Sequence, residues 1–148
     1  MRYIRGCYGL RSQQMKEQLS IFAVIVAGIW LIMLGVAAIG TPERARQFLQ
    51  GFARSAFAHF LEVFIRIVIG AALVIYAPQM KFAPVFSVFG WLLISTSVIL
   101  VFVPWRSHRR FADLAVPFAT ARLPLFGLFS LAGGMFILAS AYFGPDAP

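Results

Sequence analysis

Glu62 and Arg66 invite a chemical reading first, because they are the only ionisable pair inside a long apolar stretch of this chain. At i and i+4 they share one helix face and can pair. Charges at bilayer depth are costly, and they mark either a function or mutual compensation. The functional version is a proton or ion relay. The structural version is a pair near a helix start, with Arg66 reaching for the headgroups. Both residues fall in the first three turns of their stretch, which favours compensation.

His59 and His108 are the other candidates. Two histidines from different helices could hold one haem through their ring nitrogens, or line a quinone pocket. No spacing motif backs that use, and neither has a carboxylate beside it in sequence to orient its ring. Interfacial polar groups are the plainer reading. Ser95, Thr96 and Ser97 sit in the middle of another apolar stretch, where hydroxyls bond to backbone carbonyls or neighbouring helices. They suit a substrate path less well than helix packing. No phosphate loop, nucleophile triad or carboxylate dyad is present. One cysteine, Cys7, and two histidines make neither a disulfide framework within one chain nor a zinc site. Neither an enzyme nor a bound metal or cofactor is expected.

The elements that must position these residues follow from composition. Of 148 residues 61% are hydrophobic and 12% charged, and the mean hydropathy is +0.85. A soluble domain carries about a quarter charged residues. The balance excludes a water-soluble enzyme and excludes disorder, and it points to a membrane protein. A hydrocarbon core about 30 Å thick needs roughly 20 apolar residues in a helix. Residues 19–40, 82–105 and 123–144 meet that length without a charge, and residues 57–77 meet it with Glu62 and Arg66 included. The first stretch is too long for a secretory signal and lacks a convincing small-residue cleavage site, so it reads as a retained helix. Pro78-Gln79-Met80-Lys81 is a tight turn that makes an antiparallel hairpin of the second and third spans.

Two longer connections read as amphipathic helices, about 42–56 and 105–120. Thr41-Pro42-Glu43 is a helix start with Thr41 as N-cap and Pro42 at the first position. Ala45, Phe48, Leu49, Phe52 and Phe60 then recur along one face, with Glu43, Arg44, Arg46, Gln50 and Arg54 opposite. Such a helix lies in the membrane interface, aromatic side down. The second connection repeats the design with Phe111, Leu114 and Phe118 against Arg106, His108, Arg109 and Arg110, and Trp105 suits an interfacial aromatic belt. Arg44, Arg46, Arg54, Arg106, Arg109 and Arg110 are the expected headgroup contacts. Beside membrane spans, anionic lipid rather than nucleic acid is the partner for such charge.

Sliding the chain by 62 or 63 places sets Gly28 on Gly90, Pro42 on Pro104, Phe48 on Phe111 and Gly70 on Gly133. The expected fold is therefore an all-α integral membrane protein. Its four transmembrane helices form two parallel-repeat hairpins, each with an interfacial amphipathic helix between its spans. Each half resembles small bacterial inner-membrane hairpin proteins of unknown function. The resemblance rests on Gly40-Thr41-Pro42-Glu43-Arg44 with Arg66 and Gly70, and on Pro104-Trp105-Arg106 with Arg122 and Gly127. It implies a bacterial plasma membrane location and no activity.

Orientation turns on positive charge, which favours the cytoplasmic side. The two connections hold seven basic residues against five on the side of the termini and Lys81. Residues 1–14 show no cap, periodicity or apolar run, and Met15-Lys16-Glu17 stands directly before the first span. If Met15 is the native start, the vote becomes seven against two and puts the amphipathic connections in the cytoplasm. Residues 1–18 are thus an N-terminal segment, and 19–148 form a single membrane domain. Three functions compete. The preferred one is a non-enzymatic structural or accessory subunit that binds lipid and other membrane helices, as a homo-oligomer or within a larger complex. The second is a small transporter or channel using Glu62 and Arg66. The third is a haem or quinone redox subunit using His59 and His108.

Overall fold

The computed structural model describes residues 2–52, 56–103, 117–118 and 120–145. Its elements are α1 (Arg2–Gly40), α2 (Pro42–Phe52), α3 (Ala56–Tyr76), a 3₁₀ turn (Ala77–Gln79), α4 (Ala83–Phe102) and α5 (Leu123–Phe143). Among the described residues there is no strand. Among the described residues, four segments are long and apolar enough to cross a membrane: Arg11–Gly40, Phe57–Gln79, Ala83–Phe102 and Leu123–Phe143. The architecture is that of a multi-pass membrane protein.

α1 is longer than its apolar stretch required. It runs unbroken from Arg2, although nothing in residues 1–14 announces a helix. At 39 residues it extends about 58 Å, roughly twice the hydrocarbon thickness. No proline interrupts it, and Gln, Met, Lys and Glu between residues 13 and 18 are good helix formers. A helix nucleated by the apolar part therefore propagates backward at little cost.

The break between α1 and α2 falls at Thr41. Its carbonyl accepts the first α2 bonds, from the N–H groups of Arg44 (3.1 Å) and Ala45 (3.2 Å), so it holds the N-cap position. Its hydroxyl faces the other way and donates to the Ala37 carbonyl at 3.2 Å. The side chain closes α1 rather than capping α2. Ala45 turns inward from α2 and is buried with Ala38 of α1 and Leu123 of α5.

The spans pack through glycine. α1 lies chiefly against α5, and α3 chiefly against α4, while α1 also contacts α3. A Cβ on Gly134 would stand 2.6 Å from the Gly28 carbonyl, and one on Gly35 would stand 2.7 Å from that of Gly127. In the second pair, a Cβ on Gly90 would meet the Gly70 carbonyl at 2.7 Å. Real side chains do not come so close, so backbone rests on backbone at all three crossings. Gly28 and Gly35 are two turns apart, as are Gly127 and Gly134, so the α1–α5 contact is an antiparallel two-point clasp. The main core cluster, Val24, Ala72, Leu73, Ala77, Met80 and Phe86, lies toward the α3–α4 turn.

That turn is anchored rather than free. Pro78 ends α3 by the loss of its N–H, and the Met80 N–H donates to the Ala77 carbonyl at 2.9 Å. Met80 is buried, and the Lys81 N–H donates to the Ser140 carbonyl of α5 at 3.0 Å. Phe82 adopts a left-handed conformation (φ 62°), which costs about 1–2 kcal/mol in a non-glycine residue. The stacking of Phe82 and Phe86 on Phe136, at centroid distances of 5.7 and 5.3 Å, offsets it.

Candidate functional site

α3 carries the first candidates. Its helical geometry puts Glu62 and Arg66 one turn apart, and Arg66 Nη1 donates to Glu62 Oε1 at 2.9 Å. Their side chains are 29% and 36% exposed, on the flank of the helix rather than in a cavity. The pair closes on itself. His59 lies one turn before Val63 on the buried face of the same helix and is 1% exposed. Its ring meets Phe60 edge-on, with centroids 5.4 Å apart and planes at 61°. His108 lies outside the described residues, as do Arg54, Arg106, Arg109 and Arg110 and most of the second connection.

The three hydroxyls of α4 separate on the helix. Ser95 is exposed, and Thr96 donates to the carbonyls of Leu92 (2.7 Å) and Leu93 (3.2 Å) on the outer face. Ser97 points inward and is fully buried, its Oγ without a hydrogen-bond partner among the described residues. The register that sets Gly70 against Gly90 brings Ser97 opposite Val63, which is also buried. Of the arginines expected to meet headgroups, Arg44 is exposed on α2 and Arg46 lies 3.9 Å from Glu43. Arg122, at the start of α5, places its guanidinium 4.8 Å from the centre of the Phe118 ring.

One feature was missed in the chain of residues before Met15 and just after it. An open cleft of about 510 Å³ is lined by Ser12, Gln13, Lys16 and Glu17 of α1, by Ile75 at the end of α3 and by Pro78 and Gln79 of the 3₁₀ turn. The signal was available as polar residues at four-residue steps, Ser12–Lys16–Ser20 and Gln13–Glu17. It becomes meaningful only once residues 2–18 are helical. Among the described residues, no three of His, Cys, Asp and Glu come together as metal ligands would. No family of known proteins, no curated protein and no solved structure matches the chain.

Proposed function

We propose that this chain is a non-enzymatic subunit of a bacterial plasma membrane, structural or accessory, that binds lipid and the helices of other membrane proteins. The observation that carries the reading is how little of each span the chain covers by itself. Between 17% and 33% of each crossing segment is buried internally, and large apolar side chains such as Phe64, Phe89, Trp91, Ile99 and Phe129 face outward. Backbone clasps hold the bundle with small residues and leave the large ones for lipid and partner helices, where van der Waals packing drives association.

Two further parts belong to this reading. α2, with Ala45 turned inward and Arg44 and Gln47 outward, rests in the membrane interface, and its arginines meet anionic headgroups. The halves are parallel repeats. In support, Gly28 and Gly90, which one shift of the sequence superposes, each meet a glycine from the second span of the other half. Gly134 rather than Gly133 is then the counterpart of Gly70, because Gly133 has nothing within 4 Å of its would-be Cβ.

The test is the mass and composition of the native particle after gentle detergent extraction from its own host. Co-migration with a larger assembly is expected. A lone monomer or small homo-oligomer would overturn the accessory role and move Glu62-dependent transport to the front.

A further inference from the structure

The cleft between α1 and the α3–α4 turn combines features that the accessory reading does not use. It lies at the membrane end that carries the turn, opposite the arginines of α2. Its wall holds one cation and one anion on adjacent residues, Lys16 and Glu17. Neither has an ion-pair partner among the described residues. Ser12, Gln13 and Gln79 complete a polar rim able to donate and accept hydrogen bonds. Lys81, the nearest cation on the turn, places its Nζ 5.7 Å from the centre of the Phe82 ring.

Below the rim the lining changes character. Ile75 is exposed, and Val68 and Phe64 follow it at seven and eleven residues along the same outer face of α3, both exposed. Eleven residues of helix span about 16 Å, close to half of a 30 Å hydrocarbon core. A polar pocket with balanced charge thus stands at the head of an apolar lane one leaflet deep.

We propose that this cleft is a binding site for a phospholipid whose headgroup carries both a phosphate and a primary ammonium, of the phosphatidylethanolamine class. Lys16 and the amides of Gln13 and Gln79 take the phosphate. The Glu17 carboxylate takes the ammonium, whose N–H groups make charge-assisted hydrogen bonds. A purely anionic headgroup gains Lys16 but is repelled by Glu17. A quaternary ammonium presents no N–H to that carboxylate. The acyl chain lies along Ile75, Val68 and Phe64, which separates a lipid from a soluble phosphoethanolamine of the same headgroup chemistry. The inference rests on the membrane reading but not on the accessory role.

Native mass spectrometry of the full-length protein tests it, after delipidation in detergent and titration with phosphatidylethanolamine, phosphatidylglycerol and phosphatidylcholine of matched chains. The unmodified protein is expected to retain the ethanolamine lipid about tenfold better than either competitor, the worth of one such charge-assisted contact. Glu17→Gln removes the preference while helical circular dichroism stays unchanged, and Lys16→Gln weakens all phosphate-bearing lipids. Glycerophosphoethanolamine, without chains, competes poorly. Equal retention of the three lipids by the unmodified protein overturns the proposal without recourse to any variant. So does full competition by the chainless headgroup, or a preference that survives Glu17→Gln. The particle-composition experiment reads the accessory role separately, so either can fail alone.

Discussion

At the scale of single residues, the polar groups inside the spans divide by direction. Glu62 and Arg66 meet at 2.9 Å with each side chain about a third exposed, and the Arg66 side chain is long enough to reach for headgroups that screen the pair, so its coupling is small, about 0.5 kcal/mol. In a double-mutant cycle of Glu62→Gln and Arg66→Gln, the double substitution is expected to cost less than the sum of the singles by that amount, read from unfolding in mixed micelles. A coupling of several kcal/mol would mark a desolvated pair and revive a relay. Ser97 is the opposite case, because its hydroxyl is fully buried with no partner among the described residues. Ser97→Ala is expected to leave stability unchanged or raise it by up to about 1 kcal/mol, since a desolvated hydroxyl is removed without breaking a bond. A loss in the same melting experiment would mean that Ser97 is engaged in the assembled protein. The Glu62–Arg66 contact was legible from spacing alone, because helical pitch fixes i and i+4 as neighbours. The inward turn of Ser97 was not, because three consecutive hydroxyls point about 100° apart and only the position of α3 selects one.

At the scale of elements, the clasps make sharp distinctions between adjacent residues. Gly133 and Gly134 are neighbours in α5, yet a Cβ on Gly134 would strike the Gly28 backbone at 2.6 Å and one on Gly133 meets nothing within 4 Å. Gly134→Ala is expected to cost about 1–3 kcal/mol by forcing α1 and α5 apart. Gly133→Ala should shift stability by less than about 1 kcal/mol, toward stabilisation, because alanine is the better helix former. Equal effects from the two substitutions would show that α5 is rotated from the arrangement described. The spans were readable within three residues at every end but one, the start of the first, which lies at Arg11 rather than residue 19. Length, apolarity and proline punctuation are local properties, and a bilayer leaves the backbone little alternative to helix. The backward extension of α1 to Arg2 was not readable, because it depends on propagation from an existing helix rather than on any start signal.

At the scale of the molecule, the spans require that the α3–α4 turn and α2 lie on opposite membrane faces. In a Cys7→Ala background, a membrane-impermeant thiol reagent should reach cysteine at position 79 from one side and at position 50 from the other. Reaction of both from the same side would break the four-span arrangement. What the residues alone determined is the solvent this chain is built for, the crossings found among the described residues with all their bounds but the first, its tight turn, and the Glu62–Arg66 pair. Each of these follows from composition, length or helical pitch. Beyond the α3–α4 hairpin that the tight turn announced, only the tertiary structure decided which helices touch. The hydrophobic effect that ranks contacts in water is weak between helices in lipid, so apolarity names no partner. Close approach of glycine backbones does, and it joins α1 to α5 and α3 to α4. The same arrangement brings Lys16 and Glu17 beside Gln79, residues more than sixty positions apart, into one cleft of which the local pattern marks only the α1 wall.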